Sequence, residues 1–112
     1  MSIAGDLIRG HTDAIILARL LRGDSYGYEI NKTISNISSG RFELKEATLY
    51  TAFKRLEDQG CITSYWGDSG AGARRRYYTI TPAGRDASHR LTMEWLETKE
   101  IMDHLLITEV SP

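Results

Sequence analysis

Apolar side chains recur with a helical period in four stretches of this chain and with the density of a strand in two. The first stretch, residues 7–21, carries Leu7, Ile8, Ala14, Ile15, Ile16, Leu17, Ala18, Leu20 and Leu21, and Gly23 follows as a stop. The spacing predicts one continuous helix. Its apolar set is too wide for a single stripe, because Ile15 and Ile16 point about 100° apart. Such a helix buries two faces, and in a chain this short the second face asks for a partner chain. Ile8 and Ile15 are its candidate interface residues.

The second stretch, residues 26–37, places Tyr26, Ile30, Ile34 and Ile37 on one face and Glu29, Asn31, Lys32 and Ser35 on the other. A turn at Ser38-Ser39-Gly40 leads into Arg41-Phe42-Glu43-Leu44, whose alternation reads as a very short strand. The third helix, residues 46–59, ends at Gly60 and has Leu49, Phe53 and Leu56 as its inner stripe, with Ala52 beside them. With Leu49 set at zero, Lys54 falls at about 140°, Thr51 at about 200° and Arg55 at about 240°. The outward face is small and polar near its start and basic further along.

Cys61 to Trp66 reads as a strand, residues 67–72 as a flexible Gly-rich tip, and Arg74 to Ile80 as the returning strand. Three arginines stand where the second strand leaves the loop. Alternation sends Arg75 to the face opposite Arg74 and Arg76. Thr81-Pro82 then starts a helix that runs to about Leu106. Along it Ala87, Leu91, Trp95, Thr98, Met102 and Leu105 form a narrow seam near the 3.5-residue period of paired helices. Leu91, Trp95, Thr98, Met102 and Leu105 are therefore candidate dimer contacts.

The order of helix, helix, short strand, helix, strand, loop, strand, long helix predicts an α+β fold: a winged helix-turn-helix with a long C-terminal dimerisation helix. Residues 1–81 form the expected DNA-binding domain and residues 82–112 the dimerisation helix and tail, within one structural domain. At 112 residues, 41% hydrophobic and 26% charged, the chain is of globular composition and too short for two independent cores. The net charge of −1 hides an uneven distribution. Residues 41–90 carry nine basic and six acidic side chains, whereas residues 91–112 carry one basic and five acidic. A mildly basic middle suits a polyanion, although ordinary solvated charge gives the same count.

The exclusions follow from what the chain lacks. No apolar run approaches the ~20 residues of a membrane span, and the start lacks a basic, apolar leader, so a cytoplasmic protein is expected. His11, His89 and His104 have no metal-ligand spacing, and Cys61 has no companion cysteine. No metal or other cofactor is therefore expected. Cys61 reads as buried packing, with a redox-sensing thiol as the rarer alternative. No phosphate-binding loop, nucleophile elbow or carboxylate pair points to an enzyme.

Several motifs together are specific: Tyr26-Gly27-Tyr28-Glu29-Ile30, Glu46-Ala47-Thr48-Leu49-Tyr50, Phe53-Lys54-Arg55-Leu56-Glu57-Asp58-Gln59-Gly60, and Arg75-Arg76-Tyr77-Tyr78 with Thr81-Pro82-Ala83-Gly84. Over residues 7–106 the chain resembles the PadR family of bacterial transcriptional regulators in its short-chain subgroup. Ser64 to Asp68 and Trp95 are similar to a lactococcal multidrug-responsive member. The resemblance implies a homodimer joined through the last and first helices. It also implies repression of a nearby transporter or detoxification gene, relieved by a small aromatic effector.

On this reading Tyr28, Lys45, Thr48, Tyr50, Thr51, Lys54, Arg55, Arg74, Arg75 and Arg76 face double-stranded DNA at a palindromic operator. Lys54 and Arg55 suit phosphates, while Thr48 and Thr51 are small enough to approach base edges. Lys45 departs from the Asn or Ser usual before the recognition helix; it cannot cap, but it can reach a phosphate. The effector pocket expected from the resemblance holds Ala14, Ala18, Thr92, Trp95 and Lys99, with Trp95 near its symmetry mate. A planar aromatic molecule fits between the two indoles, unless they simply fill the interface as core. The rival class is a winged-helix module that binds small molecules or proteins and no operator.

Overall fold

The computed structural model describes residues 3–68 and 74–107. Its elements are α1 (Ile3–Arg9), α2 (Thr12–Leu20), β1 (Ser25–Tyr26), α3 (Gly27–Ile37), α4 (Glu46–Asp58), β2 (Ile62–Asp68), β3 (Arg74–Ile80) and α5 (Pro82–Leu106). The three strands form one antiparallel sheet in the order β1-β3-β2. Together the helix pair α3–α4 and the β2–β3 hairpin make the winged helix expected from the pattern.

The first helix corrects the sequence reading. It is broken at Gly10-His11 into α1 and α2. Glycine disfavours a helix interior, and the Thr12 hydroxyl donates to the Arg9 carbonyl at 2.7 Å, replacing the bond a continuing helix would make there. The break sets His11 against α5, where its ring meets Trp95 edge-on at 5.2 Å.

The short strand is also placed differently. Ser25-Tyr26 pairs with Tyr78 and Tyr77 of β3, whereas residues 41–44 join no strand. The alternation there is real, since Phe42 and Leu44 are buried, but side chains satisfy the backbone. The Asn31 amide donates to the Leu44 carbonyl at 2.7 Å and accepts from the Leu44 N–H at 2.8 Å. Ser38 brackets Phe42 in the same way. Of the anticipated loop tip, Gly67 and Asp68 belong to β2, and the glycines at 70 and 72 lie outside the described residues.

The core gathers Ile16, Leu17 and Leu20 of α2, Ile30 and Ile34 of α3, and Leu49, Ala52, Phe53 and Leu56 of α4 over Ile62, Tyr78 and Ile80 of the sheet. All four inner residues predicted for α4 are buried. That helix ends in a Schellman motif. The Cys61 N–H reaches the Leu56 carbonyl, the Gly60 N–H reaches that of Glu57, and Gly60 takes a φ of 77°. Its start is less well finished, because Lys45 makes no side-chain cap.

The α5 start is fixed by the predicted Thr81 cap, whose hydroxyl oxygen accepts from the Gly84 N–H at 3.0 Å. Gly84 lies against the Cys61 carbonyl, leaving no room for a side chain: an added Cβ would sit 2.1 Å from that oxygen. Beyond Ala87 and Ser88, which are buried, and Leu91, which is half-buried, α5 is exposed. The molecule accordingly measures 64 × 30 × 21 Å.

Two stability effects follow. Gly84→Ala must push the α5 start off the sheet and lowers stability by at least about 1–3 kcal/mol, read as a fall in the thermal midpoint; an unchanged midpoint contradicts the close contact. Lys45→Ser supplies the missing cap and raises stability by about 1 kcal/mol, read by denaturant titration.

Candidate nucleic-acid interface

The outward arc of α4 separates two surfaces. On one side its Tyr50 ring packs edge-on to Phe53 at 5.5 Å and faces the hairpin. On the other, Thr48, Thr51 and Arg55 face α2 and α5. Between them Lys54 stands in solvent and reaches Asp58 one turn on, at 3.7 Å. The ten sequence-predicted DNA residues thus divide between the two edges of one helix and the elements beside them.

Arg55 does not stand free. Its Nε and Nη2 donate to the two carboxylate oxygens of Asp13 at 3.1 and 2.5 Å. The hydrogen bond to this carboxylate raises the guanidinium's already high pKa, so its charge is constant and only its partner can change. The pair joins α4 to α2 across 42 residues of sequence.

The hairpin register decides where the arginines go. Ile62 opposes Ile80, Ser64 opposes Tyr78, Trp66 opposes Arg76 and Asp68 opposes Arg74. The first two pairs lie on the face that packs on α4, where Tyr78 stacks on Phe53 with centroids 3.9 Å apart. Burial pushes the Tyr78 hydroxyl pKa up. Trp66, Arg76 and Arg74 continue that face outward, past the end of the core.

Arg76 is tied back to the body, its Nη2 lying 3.5 Å from Glu57 and its Nε donating to the Ser64 hydroxyl at 3.1 Å. Arg75 takes the opposite face and lies over the Tyr26 ring at 4.5 Å, as the alternation requires. On that face Tyr65 stacks on Tyr77 and donates its hydroxyl to Asp24 at 2.7 Å, which raises its pKa. Tyr28, in the first turn of α3, is 68% exposed. Lys45 is exposed at the α4 start.

The second surface is an open groove of about 820 Å³ between the α1–α2 break, α4 and α5. Of the five residues expected to form an effector pocket, Ala14 and Trp95 line it, with Thr98 alongside; Ala18, Thr92 and Lys99 do not. Lys99 instead bonds Asp103 one turn on, at 3.3 Å. The groove adds lining that periodicity did not reveal, His11, Asp13 and Arg55 among it. Cys61 is buried, as its place after Gly60 suggested. Among the described residues no group of three or more His, Cys, Asp or Glu side chains is arranged to hold a metal ion, and no helix is long and apolar enough to cross a membrane.

Comparison with known proteins agrees with this architecture. A protein of Lysinibacillus sphaericus, named only as uncharacterized, is 48% identical over 90% of this chain and 93% of its own length. The negative transcriptional regulator PadR of Bacillus subtilis is 28% identical over 72% of this chain, a match spanning 42% of that longer protein. The structure of a transcriptional regulator from Clostridium thermocellum superposes with a TM-score of 0.82 at 45% identity, covering 92% of this chain and 99% of that one. A PadR family transcription regulator from Clostridium difficile R20291 does so with a TM-score of 0.74 at 37% identity, covering 86% and 98%. Residues 16–90 match the transcriptional regulator PadR-like family, and the chain belongs to that family of DNA-binding winged-helix regulators.

Proposed function

We propose that this protein is a dimeric repressor of the family's short-chain subgroup, and that a planar aromatic molecule releases it from a palindromic operator. A transporter or detoxification gene is the target we infer. The observation that carries the reading is the position of α4 as a wall shared by two surfaces. One edge of the helix stands with the hairpin arginines, and the other opens on the groove that ends at Trp95. An effector site that shares an element with the DNA-reading helix can bias that helix directly, and here α4 is that element.

In this reading residues 1–81 bind DNA and residues 82–112 form the dimerisation helix and tail. Thr48 and Thr51 approach base edges, while Tyr28, Lys45, Lys54 and the hairpin arginines position the backbone. Two recognition helices enter successive major grooves about 34 Å apart. Ile8, Ile15, Leu91, Trp95, Thr98, Met102 and Leu105 form the dimer seam. The exposure of Trp95, Met102 and Leu105 in the single chain supports this, since a solvated helix has no use for such a row.

A ligand beside Trp95 and His11 acts on DNA binding through the Asp13–Arg55 pair, because both ends of that pair line the same groove. Regulation requires the ligand to prefer one arrangement of this pair over the other. The name of the Bacillus subtilis relative, a negative regulator, favours repression.

Mobility shift on the duplex upstream of the protein's own coding sequence, repeated across salt concentrations, tests the reading. Lys54→Ala lowers the salt slope by about 1 for each lost phosphate contact. Asp13→Asn removes the charge that holds Arg55, so it tightens binding and steepens the slope. No shift with the wild type leaves a winged-helix module without an operator. Met102→Glu places a charge in the seam, where an unpaired buried charge costs several kcal/mol. Sedimentation then gives a folded monomer with weaker operator binding; an intact dimer removes Met102 from the seam.

A further inference from the structure

Between the hairpin and the start of α3 lies a recess of about 460 Å³ walled by aromatic rings and arginines. Tyr28 and Tyr50 form its helical side, and Trp66, Arg74 and Arg76 its strand side; Arg75 closes it from the edge near Tyr26. Among the described residues no carboxylate lines it. Two acids stand at its margins: Glu57 pairs with Arg76 at 3.5 Å, and Asp68 lies opposite Arg74 in the hairpin register.

Trp66 is the unusual member. It is 56% exposed, although it sits on the face of the hairpin that is core four residues earlier, at Ile62. Burial of its own ring does not account for an indole there. The guanidinium carbons of Arg74 and Arg76 lie 5.3 and 5.9 Å from its ring centroid. A cation held over an indole keeps its charge and its outward hydrogen-bond donors while losing freedom to wander.

We propose that this recess takes one sugar–phosphate strand of duplex DNA, and that Trp66 is a contact residue of the interface. The indole lies against deoxyribose, and Arg74 and Arg76, held beside it, meet the flanking phosphates. Tyr28 and Tyr50 offer hydroxyl donors from the opposite wall. The occupant follows from the chemistry of the walls: three arginines against the single carboxylate paired with Arg76 leave a surplus of positive charge that selects a polyanion, and flat rings select a ligand with apolar faces between its charges. The inference rests on the DNA-binding reading and goes beyond it by giving Trp66 a role and by separating Arg74 and Arg76 from Arg75.

The test uses the full chain and the two tryptophans it already contains. The upstream duplex is titrated into wild type and Trp66→Phe while emission and mobility shift are read on the same samples. Quenching is expected in the wild type, reversed by salt, and absent in Trp66→Phe even when the shift shows full complex. Trp66→Ala weakens binding about tenfold with an unchanged thermal midpoint, because the ring is not core; Trp66→Phe, which keeps a flat ring, loses less. A complete shift without any Trp66-dependent change in emission overturns the proposal, as does wild-type affinity in Trp66→Ala. Equal quenching by a mononucleotide at the same nucleotide concentration also overturns it, and makes the recess a pocket for free nucleotides. Absence of any shift with the wild type instead refutes the DNA-binding reading itself, and the proposal with it.

Discussion

The Phe53 ring lies almost flat on Tyr78, the planes 20° apart, and this contact joins the recognition helix to the middle strand of the sheet. Both rings are buried among the same core residues. Offset aromatic pairs of this kind add about 0.5–1.5 kcal/mol beyond the area they bury. The geometric effect is larger than the energetic one. With Tyr78 inward, strand alternation sends Arg76 and Arg74 along the helix-facing side and Arg75 to the other. With Phe53 inward, the helical period sends Tyr50 toward the hairpin and Arg55 toward α2. One stacked pair therefore sets which basic groups are near one another.

Most of this arrangement was legible in the residues because the strongest local signals agreed with the global fold. Thr81-Pro82 marked the start of α5, and Arg74 to Ile80 is the strand observed. The inner stripe of α4 could be read from four residues. What escaped the pattern was set by side chains acting as backbone partners or by contacts distant in sequence. The break at Gly10-His11 interrupts a run whose apolar periodicity continues through it. The bracket of Asn31 on Leu44 satisfies an extended segment without a neighbouring strand, so alternation there signalled burial and not pairing. A two-residue strand such as β1 is too short to carry any period.

The candidate site was legible as a set of residues and not as an arrangement. Helical angles placed Lys54 and Arg55 on one outward face, but only the fold brings Asp13 to Arg55. Likewise the sequence offers Trp66 as a strand residue, and only the register places it between Arg74 and Arg76. In both cases a guanidinium's neighbours decide its use. Arg55 is held by a carboxylate that competes with phosphate. Arg74 is held by a ring that does not.

The long last helix has one further consequence. A helix of 25 residues spans about 37 Å, and only its first turns rest on the body. Isolated helices of the remaining length are marginal in water, and most draw their order from tertiary packing. Beyond Trp95, which still meets His11, the described residues of this chain offer α5 no such packing. If a second copy supplies it, the last turns become ordered only as protomers meet, and their order follows mass action. The fraction of paired chain then rises with its concentration, so that growth in volume without new synthesis loosens the last turns.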